Sequence, residues 1–287
     1  MAAPTGPTVR RMQLGWELKR LREKAGLTLT ESTDGLPFST SKLHRVERAL
    51  TGLQSAADLR ALLTRYGVFD EEDQEFLVEI QRDSLKRGWW SQYRRNMPSG
   101  MDLFVGLESG AHTIRGWQPN VVYGLLQTER YSREMLLAAK PVEETTTEFV
   151  ERTIDLRMDR KKAITRSDNP LELWVILCEA ALRRTVGSSD VMLEQYEEIA
   201  RIAKADNVTV QVLPFDMATY RSSTDFALME FDRPLPTVVQ NDGVGESNVT
   251  DRDTIVWAFS RKFDTLRAGA LAPSETPNFL SRLSREM

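Results

Sequence analysis

The sequence predicts two unlike parts, an all-α N-terminal domain followed by an α+β domain with a small sheet. Three observations point that way. Five short stretches of helical periodicity follow one another within about the first 80 residues. The run from Lys86 to Gly100 (KRGWWSQYRRNMPSG) then breaks the periodicity. Beyond it, strand-like alternation such as Val208 to Leu213 (VTVQVL) is interleaved with helical patterns. The expected parts are a flexible arm over 1–8, a helical domain over 9–85, a linker over 86–100 and an α+β domain over 101–287.

The first helix is expected from Val9 to Lys24, with Met12, Leu14, Leu18 and Leu21 apolar and Gly26 as its stop. Thr28 or Thr30 opens a short second helix ending at Gly35. Ser39 caps a third, which runs to about Ala49 with Leu43 and Val46 inward, and Gly52 ends it. Ala56 to Tyr66 forms the fourth, stopped by Gly67. Asp70 to Asp73 begin the fifth, where the helix dipole favours negative charge, and Phe76, Leu77 and Ile80 form its apolar face. In the linker, Trp89, Trp90 and Tyr93 either anchor the segment or, beside Arg94 and Arg95, stack on bases.

Further on, helices are expected over Met101–Trp117, Gln127–Ala139 and Val142–Ile164, then a buried strand over Leu171–Cys178 and a helical turn over Glu179–Arg184. Ser188 or Ser189 caps a helix through Lys204. Strands follow at Val208–Leu213, Phe226–Phe231 and Thr237–Gln240, with a turn at Asn241-Asp242-Gly243. Thr250 or Asp251 caps a helix through Leu266, and a last helix follows Pro273 or Pro277.

The formal charge of −4 hides an asymmetry: residues 1–66 carry +5 and the remainder −9. A basic segment on an acidic body suits an anionic partner such as nucleic acid. No apolar run approaches the ~20 residues of a membrane helix. Met1 to Arg11 lacks the apolar core of a secretory signal, and the single Cys178 excludes an internal disulfide framework, so a cytoplasmic protein is expected.

Motifs for catalysis are missing. The chain has neither a phosphate-binding G-x-x-x-x-G-K-[ST] nor a dinucleotide-binding G-x-G-x-x-G, and Gly243-Val244-Gly245 is glycine-rich only in passing. Glu108 and His112 stand four apart on an expected helix but lack a third metal ligand, so they read as a surface pair or partner contact. Cys178, in an apolar run, reads as a core thiol. The expectation is a protein that is not an enzyme and holds no cofactor and no metal.

The informative stretch is Leu18 to Gly52. Its pieces Leu18-x-x-Leu21-Arg22, Ala25-Gly26-Leu27-Thr28 and Ser39-x-Ser41-Lys42-Leu43-x-Arg45-Val46-Glu47 resemble the helix-turn-helix of the xenobiotic-response-element (Cro/repressor-like) family. The resemblance implies that the third helix enters the major groove of double-stranded DNA. The implied base- or backbone-reading residues are Thr40, Ser41, Lys42, His44 and Arg45, with Arg45 able to fork onto a guanine. Ser39 and the helix N-terminus would hold a phosphate, and Arg10, Arg11, Lys19 and Arg48 would clamp the backbone. Arg22 and Glu47 match a structural Arg–Glu pair between the first and third helices. Ser32-Thr33 stands where the family commonly has Leu-Ala, which implies a short or loose second helix.

From Gly88 to Arg285 the chain is similar to an uncharacterised effector domain that follows this helix-turn-helix in many actinobacterial regulators. The similarity is carried by Gly88-Trp89-Trp90, Leu107-Glu108, Gly124-Leu125-Leu126-Gln127-Thr128-x-x-Tyr131, Arg157-Met158-x-Arg160, Glu179 to Arg184, Val210 to Phe215 and Leu266-x-x-x-Ala270-Leu271. Tyr123 replaces the family's usual Pro. Trp117, Gln127, Arg157 and Arg160 read as polar groups tying helices to the sheet. Together the resemblances imply a homodimeric DNA-binding transcriptional regulator acting with a small partner protein encoded nearby. Two alternatives stand: an antitoxin-like protein that neutralises the partner, and a small-molecule-sensing regulator.

Overall fold

The computed structural model describes residues 6–243 and 246–287. Most of the expected arm, residues 1–5, and Val244 and Gly245 of the glycine-rich stretch lie outside them. The chain divides into two compact units, one ending at Ser91 and including Arg233–Leu235, the other comprising Gln92–Asp232 and Pro236–Met287.

The first unit is all helical: α1 (Pro7–Lys24), α2 (Leu29–Thr33), α3 (Thr40–Glu47), α4 (Ala56–Arg65) and α5 (Glu71–Ser84). Pro7 and Thr8, expected in the arm, already belong to α1, and Thr8 is buried. Local chemistry accounts for most helix ends. Thr28 and Glu31 form a reciprocal capping box on α2, and the side chains of Ser39, Ser55 and Asp70 accept first-turn N–H groups of α3, α4 and α5. Gly26 and Gly67 take the left-handed conformation just after α1 and α4. After α3 that role falls to Ala49 (φ 56°) rather than to the expected Gly52.

Leu14, Leu18, Leu43, Val46, Leu59, Leu62, Leu63 and Leu77 share one core. Full burial of each such leucine contributes about 1.5–3 kcal/mol. On α5 the inward stripe is Leu77, Ile80, Gln81 and Ser84, at helical spacing. Phe76, expected on that face, sits one position off it and is 57% exposed.

The stretch read as a linker contains a 3-10 helix, Trp89–Asn96. Trp90 and Tyr93 are buried, and Tyr93 Oη donates to Asp159 Oδ2 at 2.6 Å. They are therefore anchoring residues, not a platform on which bases could stack.

The second unit contains α6 (Met101–Gly110), β1 (Thr113–Gln118), α7 (Glu129–Glu143), α8 (Thr147–Thr165), β2 (Glu172–Cys178), α9 (Glu179–Arg183) and α10 (Ser189–Ile202). It continues through β3 (Val208–Leu213), β4 (Phe226–Glu230), β5 (Val238–Asp242), β6 (Ser247–Thr250), α11 (Asp253–Gly269) and α12 (Thr276–Glu286). The six strands form one sheet in the order β3-β2-β1-β4-β5-β6. β1 and β3 flank β2 in parallel, with Ile114 opposite Leu173 and Leu173 opposite Val208, and the other pairings are antiparallel. The parallel pairings need crossovers, which α7–α8 and α9–α10 provide. On one face α11 packs Phe263 and Leu266 against Trp117, Ile176, Phe226, Leu228 and Val239, and the buried Cys178 joins this core.

Several expectations are corrected. The helix expected over Met101–Trp117 stops at Gly110, and its end is the central strand β1. Ile114 and Trp117, three apart, imitate helical spacing, yet they face opposite sides of a sheet covered on both. Asn241 and Asp242 extend β5 instead of turning, and β6 pairs with them, Asp242 opposite Ser247. The break between α7 and α8 falls at 144–146, where Thr146 caps α8, rather than before Val142. Position 123 holds φ −57°, an angle that proline also adopts, so its backbone suits either residue.

Glu108 is not in a surface pair with His112. It is 1% exposed and accepts two hydrogen bonds from Arg160 of α8, at 2.7 and 2.9 Å. His112 lies beyond α6, with Nδ1 at 2.7 Å from Thr113 Oγ1. Gln127 binds the Val122 carbonyl and the Ser132 hydroxyl, and Trp117 donates to the Ser222 carbonyl. Glu108→Ala strands the buried Arg160 guanidinium and is expected to cost about 3–5 kcal/mol in denaturant unfolding. Arg130→Ala, which opens the exposed pair with Glu194, is expected to cost no more than about 1 kcal/mol.

Candidate nucleic-acid interface

With eight residues, α3 is too short to be stable alone, so its neighbours determine its placement. Leu43 and Val46 face the core. Arg22 of α1 donates through Nε and Nη2 to both oxygens of Glu47, at 2.7 and 2.9 Å, and through Nη1 to the Leu27 carbonyl at 3.0 Å. The pair is well covered, with side chains 13% and 4% exposed. Burial opposes the charge on Arg22, but the hydrogen bonds to Glu47 outweigh it and raise the guanidinium pKa. Beside this pair α1 approaches very closely: a Cβ on Gly15 would lie 2.5 Å from the Val46 carbonyl oxygen.

The helix before it is short, five residues, but tightly held. Ser32 Oγ donates to the Thr28 carbonyl, Thr33 Oγ1 bonds the Leu29 and Thr30 carbonyls, and Arg65 of α4 donates to the carbonyls of Glu31 and Ser32. The polar Ser32-Thr33 thus replaces apolar packing with hydrogen bonds. Thr33 Oγ1 also lies 3.0 Å from Thr40 Oγ1, joining α2 to the first residue of α3.

The expected site residues fall into three groups. Ser41, His44, Arg45 and Arg48 recur at helical spacing, all exposed, opposite the buried Leu43 and Val46. Ser39, Thr40 and Lys42 form the N-terminal turn. Ser39 Oγ accepts the Lys42 N–H at 3.2 Å, while the N–H groups of Thr40 and Ser41 have no acceptor within the helix. Thr40 is tied to Thr33, and the Lys42 ammonium lies over the Phe38 ring, 5.4 Å from its centroid. The third group lies on α1. Lys19 is exposed, Arg11 is half-buried, and Arg10 is engaged within its own unit, donating to Gln13 at 2.9 Å and lying 3.8 Å from Asp83. Among the described residues, no carboxylate pairs with Lys19, Lys42, Arg45 or Arg48. Gly15, Arg65 and the Thr33–Thr40 contact, which hold the site, were not anticipated. Only Gly15 left a visible signal, as a glycine inside an otherwise regular helical pattern.

Residues 13–77, spanning α1 to the middle of α5, match the model of a helix-turn-helix domain. Residues 101–282, more than half the chain, match the model of a domain of unknown function (DUF5753). The chain belongs to the DUF5753 family. No curated protein and no solved structure matches it. This DUF5753 protein therefore carries the helix-turn-helix module of a DNA-binding regulator on its N-terminal unit. Among its described residues no cluster of His, Cys, Asp or Glu could hold a metal ion, and no helix is long and apolar enough to cross a membrane.

Alanine usually stabilises a helix relative to glycine by about 0.5–1 kcal/mol. At position 15 the sign is expected to reverse. Gly15→Ala should lose about 1–3 kcal/mol, because a backbone carbonyl must move to admit the methyl. Thermal unfolding of the full chain reads the difference.

Proposed function

We propose that this DUF5753 protein is a cytoplasmic, homodimeric transcriptional regulator of the xenobiotic-response-element type, reading operator DNA through α3. The observation that carries the reading is the exposed stripe Ser41, His44, Arg45 and Arg48, whose arginines lack carboxylate partners among the described residues, on a segment of net +5. The stripe has the length and chemistry to lie in a major groove, with Arg45 forked onto a guanine and Ser41 and His44 beside it. The open N–H groups of Thr40 and Ser41, next to Ser39, suit a phosphate, and Lys42, Arg48, Lys19 and Arg11 suit the flanking backbone. Arg10 suits this role poorly, since Gln13 and Asp83 already engage it.

One such unit touches too little DNA for tight binding, so two copies bridge half-sites about one helical turn apart. The net −9 of the remaining chain is repelled by DNA and leaves that part for regulation, through a small partner protein or a ligand. The protein catalyses no reaction in this reading.

The test uses a DNA fragment selected by the full chain from a random-sequence pool, with affinity followed by fluorescence anisotropy over a range of salt. Arg45→Ala should weaken binding by about 1–3 kcal/mol and relax preference at one base pair. Lys42→Ala should weaken all sequences alike and lower the salt slope by about one. Unchanged affinity and salt slope in both variants would sink the reading.

A further inference from the structure

Arg157, singled out in the sequence beside Arg160, has surroundings unlike those of Arg22 and Arg160. Arg22 and Arg160 show how this protein pairs a guanidinium: each gives its Nε–Nη2 edge to both oxygens of one carboxylate, Glu47 or Glu108, at 2.7 and 2.9 Å. Arg157 is half-buried on α8 and pairs with no carboxylate among the described residues. Its Nη1 donates to Gln127 Oε1 at 2.6 Å, and that amide is itself pinned by the Val122 carbonyl and the Ser132 hydroxyl. The Nε–Nη2 edge has no hydrogen-bond partner among the described residues, and neither nitrogen is sealed from outside.

Burial, and then the like charge of Arg160, draw the Arg157 pKa down to about 10. Burial raises the pKa of the nearby Tyr131 phenol, and Arg157 and the exposed Arg184 partly offset that rise. Taking a guanidinium out of water without an anion is unfavourable, and folded proteins normally supply one. Here the side chain is held with one corner fixed, and its flat two-donor edge is left without a protein acceptor among the described residues. That edge matches two oxygens of a carboxylate or phosphate group.

We propose that the Nε–Nη2 edge of Arg157, oriented by Gln127, is a binding site for an oxyanion, the carboxylate or phosphate group of a small ligand. The site is independent of DNA reading and survives if that reading fails.

The test is thermal unfolding of the full chain titrated with sodium phosphate, and separately with sodium acetate, each against sodium chloride at equal ionic strength and pH. At least one of the two anions should raise Tm saturably above the chloride baseline, and the arm that does so identifies the ligand group. Arg157→Gln should unfold in chloride at or above the wild-type Tm, since it removes an uncompensated charge, and should lose the saturable increment. General salting effects of phosphate persist in this variant and cancel in the comparison. Arg157→Lys keeps the charge but not the fork, and should need roughly tenfold more anion for half-saturation. It also serves as the probe if the Gln variant does not fold. If both anions track chloride in the wild type, or if the increment persists in Arg157→Gln, or if Arg157→Lys titrates like the wild type, the proposal is overturned.

Discussion

The two-pronged ion pair between Arg22 and Glu47 is the constraint on which the N-terminal unit's working surface depends. An eight-residue helix with two inward side chains, Leu43 and Val46, has too little apolar contact to define its own angle. Glu47 sits at its last turn and Arg22 in the last two turns of α1, so the pair fixes one end of α3 against the longest helix of the unit. The missing side chain of Gly15 then lets the two backbones meet beside it. At the other end, the Thr33–Thr40 hydroxyl contact sets the turn between α2 and α3. With both ends placed, Ser41, His44, Arg45 and Arg48 must face outward together. A buried pair of this kind contributes little net stability over an apolar substitute, but it is costly to break and tolerates few alternative arrangements.

The second unit uses the same device for a different purpose. Glu108 and Arg160 join α6 to α8, as the Phe104 ring lies 5.1 Å from the guanidinium carbon of Arg160. Gln127 and Gln195 satisfy backbone groups in the turn leading into α7: Gln195 accepts the Thr128 N–H and donates to the Leu126 carbonyl, both at 2.8 Å. These groups are satisfied within the fold. Arg157 breaks the pattern, one turn from Arg160 on the same helix, because no carboxylate among the described residues pairs with it. The contrast between neighbouring arginines, more than either alone, distinguishes a structural tie from a binding edge.

Much of the helical unit was legible because its signals are local. A capping hydroxyl at Ser39, an acidic first turn after Asp70 and stops at Gly26 and Gly67 act within four residues of themselves. The Arg22–Glu47 pair was legible only through resemblance, since nothing local relates residues 25 apart. Phe76 and Ala49 were misread because a helix face can rotate by one position, and a left-handed stop can fall on a non-glycine, when packing elsewhere demands it. In the second unit, β1 hid behind helical spacing. β6 (SNVT) is short and polar and becomes a strand only by pairing with β5. The aromatics of the 86–100 stretch read as anchors or as stacking residues by type alone, and burial of Trp90 and Tyr93 decides for anchoring.

The sequence by itself determined the division into a basic helical part and an acidic mixed part, the helix caps, and the residue types along α3, because charge and short-range hydrogen bonding are written in neighbouring residues. Only the tertiary structure decided which of those side chains share a face, which strands lie side by side, and which arginines have partners. Those outcomes depend on contacts between residues tens of positions apart, such as Arg22 with Glu47, Glu108 with Arg160 and β1 between β2 and β4, where burial makes an unpaired polar group too costly to leave unresolved.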